Sequence, residues 1–207
     1  MALDESLLHA MPRLNRPVLR FYGWTERAAS FGYFQHYADV ERFVQLRPLI
    51  RRPTGGGIVP HDVDWTYSLA FPTDSDWYAL KAIESYRRVH EWIRAAFGRL
   101  NFVTELAPAS RKAQAGQCFV GYEKFDVLCR GQKIAGAAQR RTRDGLLIQG
   151  SVQPPLRTPA VADWRWAMCA SNPEIVWQKF DLDEPLMASA EALRRDKYSR
   201  SEYNQKR

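Results

Sequence analysis

Residues 51–62 run Arg51-Arg52-Pro53-Thr54-Gly55-Gly56-Gly57-Ile58-Val59-Pro60-His61-Asp62. Three consecutive glycines cost backbone entropy on folding, so such a run needs a reason. One reason is a tight turn. The other is close approach of the backbone to a ligand, with N–H groups aimed at an oxygen. The arginine pair before the glycines and His61-Asp62 after them favour the ligand.

A second stretch reads Gly131-Gln132-Lys133-Ile134-Ala135-Gly136-Ala137-Ala138-Gln139-Arg140-Arg141. Lys133 has small neighbours, so its ammonium could reach into a pocket and meet a carbonyl or phosphate oxygen. A lysine guarding a strand edge would look the same. Cys118, in Ala-Gly-Gln-Cys-Phe, follows Arg111 and Lys112 in a loop-like stretch. Nearby cations lower a thiol's pKa and favour a nucleophile, whereas an isolated cysteine is otherwise a small buried hydrophobe. Cys129, alternating with Val127, fits the buried role, and Cys169 after Trp164, Trp166 and Met168 fits helix packing.

Around these stretches the pattern predicts an α+β chain without βαβ rhythm. Strands are expected from Val18 to a turn at Gly23, over Ser30–Gln35, over Asp64–Phe71, over Phe125–Cys129, from Lys133 onward, and over Leu146–Val152. A short helix is expected over Asp39–Gln45. A long one is expected over Asp74–Arg99, with Leu80, Ile83, Tyr86, Val89, Ile93 and Phe97 on one face. PAVADWRWAM, NPEIVWQKF and EPLMASAEALRRDKY read as short helices towards the end.

The 207 residues suit one catalytic domain over 1–207, with a basic tail from about 193. Net charge is +7, and Arg194–Arg207 holds six basic and two acidic residues. The tail reads as a solvated, partly frayed terminus or as a surface steering an acidic protein partner. No apolar run is long enough for a membrane span and no signal-peptide pattern opens the chain, so no membrane is expected as partner. Nor is nucleic acid, because no helix-turn-helix, zinc-finger or RNP pattern is present. Three cysteines without a CxxC pair argue against disulfides and structural zinc, so a cytoplasmic location is expected. The four histidines lack metal-ligand spacing, and no metal is expected.

Together RRPTGGGIVPHD, KIAGAAQRR at Lys133–Arg141 and QGS at Gln149–Ser151 resemble the hallmarks of the lipoate–protein ligase and octanoyltransferase family. These are RR-x-x-GGG-x-V-x-HD, then K-I-x-G-x-A-Q, then a G-[ST] strand. RFYGW and SFGYFQ are similar to the family's opening. The resemblance spans about residues 17–152 and implies a mixed β-sheet with flanking helices, related to the catalytic domain of biotin ligases. It implies an acyl pocket lined by the Gly55–Gly57 loop, with Arg51, Arg52, His61, Gly136 and Ala137 as further substrate-binding residues and Lys133 at the acyl carbonyl or the acyl-phosphate. One departure is Gln149, where the family often has histidine.

Within the family, the resemblance favours the octanoyltransferase branch whose cysteine lies in a Cys-Phe loop upstream of the lysine. Cys118-Phe119 precedes Lys133 by 15 positions. Cys169 would stand for the other branch, but Ala170 follows it where glycine is expected. The resemblance implies octanoyl transfer from acyl carrier protein, through a Cys118 thioester, to a lysine of a lipoyl domain or of a glycine-cleavage carrier protein. That route needs no cofactor. Alternatives are an ATP- and Mg²⁺-dependent lipoate–protein ligase lacking its accessory domain, a carrier-to-carrier octanoyl amidotransferase, and a non-catalytic acyl- or carrier-binding paralogue.

Overall fold

The computed structural model describes residues 1–112, 121–154 and 159–206. The chain opens with helix α1 (Ala2–Leu14), which the sequence reading did not anticipate. Leu7, Leu8 and Met11 are buried as an amphipathic pattern requires, but so are Asp4, Glu5 and Ser6. Strands β1 (Val18–Tyr22) and β2 (Ala28–Phe31) follow. The second expected strand stops earlier than Gln35, because Gly32–Gln35 closes a turn in which the Gln35 N–H donates to the Gly32 carbonyl. Next come α2 (Tyr37–Phe43), β3 (Leu49–Arg51), β4 (Val59–His61) and β5 (Trp65–Phe71).

The single helix expected over Asp74–Arg99 is two. Helix α3 (Asp76–Ala79) is capped by the Ser75 hydroxyl, which accepts from the Trp77 N–H, and α4 spans Ala82–Arg99. Leu80 and Lys81 between them are extended. Val89, Ile93 and Phe97 bury as expected, while Ile83 is 47% exposed. Ser85 and His90 take buried places instead. Strands β6 (Glu105–Leu106), β7 (Val127–Cys129), β8 (Gln132–Thr142) and β9 (Gly145–Val152) complete the sheets. The β7–β8 turn puts Arg130 and Gly131 both at positive φ, the backbone of a tight hairpin.

The main sheet has the order β1-β5-β9-β8-β7-β6 and is antiparallel throughout. Among the described residues, mixed pairing is confined to a three-stranded sheet, β3-β2-β4, with β2 parallel to β3 and antiparallel to β4. Side chains alternate across β9. Leu146, Ile148 and Val152 join the core with Val89, Ile93 and Phe97 of α4. Gln149 and Ser151 face the other way with Thr66 and Ser68 of β5, so that face of the sheet is polar.

Helix α5 (Val161–Ala170) packs on α4, and Trp92 donates to the Met168 carbonyl at 2.7 Å. The NPEIVWQKF segment is not helical but runs without regular structure to α6 (Glu184–Leu193). A π-helical turn (Arg194–Tyr198) and α7 (Ser201–Asn204) end the chain. The tail is docked rather than frayed. Lys197 and Tyr198 both donate to the buried Glu5, at 2.6 and 2.8 Å. Arg51 donates to the carbonyls of Tyr203, Asn204 and Lys206.

Candidate active site

A cavity of about 530 Å³ lies between the small sheet and the polar face of the large one. That volume is in the range of small-molecule sites. Apolar lining comes from Phe43, Ile58, Val59, Ala137 and Ala138, and the cations Arg52, Arg111, Lys112 and Lys133 also border it. Of the residues singled out from sequence, Arg52, Gly56, Gly57, His61, Lys133, Gly136 and Ala137 line it. Gly55 and Arg51 do not. Arg51 is fully buried, donating to the carbonyls of Tyr33 and Gln35 as well as to the tail. Consecutive residues at a strand end point to opposite sides, so only one arginine of the pair can face the cavity.

Arg52 holds the glycine loop. Its guanidinium donates to the Gly55 and Gly57 carbonyls at 2.9 and 2.7 Å and to Ser30 Oγ at 2.9 Å. Burial pushes its pKa down to about 10, which leaves it charged at neutral pH. Gly56 has φ +86°, a backbone that L side chains rarely adopt. A Cβ on Gly32 would stand 2.0 Å from the Gly56 carbonyl oxygen, so the loop lies hard against the end of β2.

From Ser30 the network continues. Ser30 Oγ is 2.6 Å from His61 Nε2, and His61 Nδ1 is 2.9 Å from Asp64 Oδ2. A carboxylate only accepts, so Nδ1 carries the proton and Nε2 accepts from Ser30. Burial lowers the His61 pKa, and the nearby Arg52 charge adds to this against the opposing pull of Asp64. Trp24 stacks on the imidazole at 3.9 Å. Thr66 and Ser151 also donate to Asp64. Asp62, the acid of the His-Asp pair read from sequence, instead turns outward to Arg27. Gln149, at the departure from the family pattern, accepts from Thr54 at 2.9 Å and donates to Asp4 of α1 at 2.7 Å. It thereby ties the glycine stretch, β9 and α1 together.

Lys133 is anchored. Its Nζ lies 2.7 Å from Oδ2 of Asp126, a carboxylate with no exposed side-chain surface. Asp126 also accepts from the Glu123 N–H at 2.7 Å and from the Tyr86 hydroxyl. A Cβ on Gly136 would fall 2.8 Å from Lys133 Nζ, so the missing side chain is the space through which the lysine passes. Asp64, Asp126 and Tyr86 were missed from sequence. The signal for Asp126 was a carboxylate at the threshold of a wholly buried strand.

Cys118 lies outside the described residues. Lys112 and Gly121, which flank that segment, both line the cavity. Cys129 is buried in β7. Cys169, on α5, lines a separate cleft of about 1250 Å³ that shares no described residue with the first. Burial pushes its thiol pKa up, away from nucleophile activation. Among the described residues no group of acids, histidines and cysteines could hold a metal ion, and no helix is long and apolar enough to cross a membrane.

His90, beside Tyr86, carries a pH prediction. Burial pushes its pKa down to about 4 from 6.5. Between those values the unfolded chain takes up a proton that the folded chain refuses. Stability is therefore complete above pH 6.5 and falls as pH drops towards 4, by on the order of 3 kcal/mol. Urea midpoints at pH 7 and 4.5 measure this. A His90→Phe variant that keeps the wild-type slope would place its origin elsewhere.

The architecture is that of the lipoate–protein ligases. A crystal structure of lipoate-protein ligase A bound with ATP superposes with a TM-score of 0.79 at 21% identity, covering 99% of this chain and 92% of that one. A bi-partite lipoate protein ligase from Thermoplasma acidophilum gives 0.70 at 20% identity, covering 99% and 91%. The model of the lipoyl protein ligase A/B catalytic domain matches residues 1–153, and the chain belongs to that family. Among curated relatives, octanoyltransferase LipM of Carboxydothermus hydrogenoformans is 32% identical over 158 residues, and LipM of Bacillus subtilis 33% over 166. Each match covers 73% of this chain and 59% of the relative, so the chain spans about three-fifths of their length.

Proposed function

We propose that this chain is an octanoyltransferase of lipoate biosynthesis, moving an octanoyl group from acyl carrier protein to a lysine of a lipoyl domain or of a glycine-cleavage carrier protein. The observation that carries this reading is the anchored Lys133 beside an apolar-walled cavity, with both flanks of the Cys118 segment at the same cavity. The relatives named octanoyltransferase support it. The placement of Cys169 on a different cleft supports the choice of Cys118 over Cys169 as nucleophile.

In this mechanism the Cys118 thiolate attacks the donor's thioester carbonyl. A new C–S bond forms, and the oxyanion that develops is stabilised by the Lys133 ammonium. Collapse breaks the donor's C–S bond, and its thiolate leaves and takes a proton. The neutral amine of the acceptor lysine then attacks the acyl-enzyme. The amide C–N bond forms, the Cys118 C–S bond breaks, and the amine proton passes to the departing sulfur. The thioester is already activated, so no ATP is consumed. A free thiol of this kind suits a reducing compartment such as the cytoplasm.

Intact-mass measurement after mixing with octanoyl-acyl carrier protein, without ATP, tests the proposal. A hydroxylamine-labile octanoyl adduct is expected in the wild type and in Cys169→Ala, and none in Cys118→Ala. An adduct that survives Cys118→Ala but not Cys169→Ala would move the nucleophile. Absence of any adduct, with lipoylation only when ATP and lipoate are supplied, would overturn the transferase reading.

A further inference from the structure

Among the described residues, Arg52, Lys133, Arg111 and Lys112 are the cations that border the cavity. The first two are committed within the protein. Arg52 holds the glycine loop, and Lys133 lies against Asp126. Arg111 and Lys112 are exposed, on the side where the cavity meets solvent. Among the described residues neither of their side chains has a hydrogen bond or an ion pair. Glu123 is the one acid among the described lining residues, and its Oε2 accepts from the Ser110 hydroxyl at 2.8 Å. Two positive charges thus stand at the opening without a protein anion to answer them.

The backbone fixes where they stand. The Arg111 N–H donates to the Tyr122 carbonyl at 2.8 Å, and the Tyr122 N–H donates back at 3.0 Å, a bridge that extends the β6–β7 pairing outward. Ser110 braces it, its hydroxyl accepting from the Lys124 N–H at 3.1 Å. Further in, the Ala107 N–H donates to the carbonyl of Asp126, whose carboxylate meets Lys133. Arg111 is four positions beyond Ala107, so at most about 14 Å of chain separates the rung beside the lysine from the rung at the opening. Carrier proteins present an acyl thioester on a pantetheine arm. When extended, that arm covers a distance of this order, with the thioester at one end and a phosphate ester at the other.

We propose that Arg111 and Lys112 form the subsite for the phosphate ester of the donor's pantetheine arm, which sets the thioester at the Lys133 end of the cavity. The guanidinium fork matches two phosphate oxygens, and the ammonium adds a point charge. This subsite rests on the acyl-transfer reading, since a donor without such an arm has no ester to place there.

The test uses octanoyl-pantetheine and octanoyl-phosphopantetheine, which differ only in the phosphate and lack the carrier's protein surface. Binding is measured by titration calorimetry in a Cys118→Ala background, which removes the proposed nucleophile. The phosphorylated donor is expected to bind about tenfold more tightly, an advantage that shrinks as salt is raised. In Arg111→Gln/Lys112→Gln the advantage is expected to fall within about twofold, with octanoyl-pantetheine bound as before. The bridge at Arg111 uses main-chain groups, so an unchanged melting temperature is expected. With Cys118 present, kcat/KM for octanoyl-acyl carrier protein is expected to drop about tenfold in the double variant, through KM. Equal affinity for the two small donors when both cations are present overturns the proposal, as does an advantage that survives their loss. An effect confined to octanoyl-acyl carrier protein also overturns it, by assigning the cations to the carrier's protein surface. ATP binding that depends on both cations, while the two small donors bind alike, would assign the subsite to a nucleotide instead. If the wild type forms no acyl-enzyme with any donor, the transferase reading falls, and the calorimetric comparison of the two small donors decides the subsite by itself.

Discussion

Replacing Lys133 by methionine is expected to slow acyl-enzyme formation by about 100- to 1000-fold, the usual loss when a single oxyanion donor is removed. The substitution also leaves Asp126 buried without its cation. Asp126 has no exposed side-chain surface and Lys133 has 17%, so a stability loss on the order of 3 kcal/mol is expected, the low end for breaking a buried pair. The two effects separate in the double variant Lys133→Met/Asp126→Asn, which removes the uncompensated charge. Its melting temperature is expected to recover while its acylation rate does not. If rate and stability recovered together, Lys133 would be part of the fold and not of the reaction.

The second large effect is expected at Gly150, where alanine cannot be accommodated. A Cβ there would lie 2.1 Å from Tyr67 Cζ and 2.2 Å from its hydroxyl oxygen. Tyr67 has no exposed surface and packs near Trp164, with centroids 6.2 Å apart, so the ring has nowhere to go. Gly150→Ala is expected to destabilise by about 3 kcal/mol, the upper end for overpacking. That corresponds to a drop in melting temperature of about 6–12 °C in a chain of this size. Adding Tyr67→Leu is expected to restore part of the loss. No restoration would mean that the clash lies with the backbone of the sheet.

Much of this arrangement was legible in the sequence. The strands β5 and β9 and the apolar face of α4 follow from alternation and from three- and four-residue spacing, which local sterics enforce. Helix α1 was not read, although Leu3, Leu7 and Met11 recur every fourth position. Asp4, Glu5 and Ser6, residue types normally exposed, break the pattern because they are buried against distant partners: Arg20 and Gln149 for Asp4, Lys197 for Glu5, and the Leu186 carbonyl for Ser6. The segment after Asn172 has helical spacing of apolar residues but no helix. Trp177 instead packs near Trp92 and donates to the Cys169 carbonyl.

At the site, Lys133, Arg52, His61 and the glycines stood out because their residue types are costly or rare in such settings. Their partners did not. Asp126 and Tyr86 are 40 positions apart, and nothing in either local stretch announces the other. Asp62 was the natural companion for His61 by adjacency, yet the turn into β5 gives that place to Asp64. Pairings of this kind depend on sheet order and helix placement, which a local pattern does not encode.

Arg51 and Arg52 are neighbours, one gripping the C-terminal tail and the other the glycine loop. The two grips share a single peptide plane. Linkage makes any coupling through it reciprocal: by whatever factor the docked tail alters the affinity of the cavity for its ligand, an occupied cavity alters the docking of the tail by the same factor. The twin arginines thus tie the glycine loop at the cavity and the tail residues Tyr203 and Asn204 to adjacent positions of one strand end.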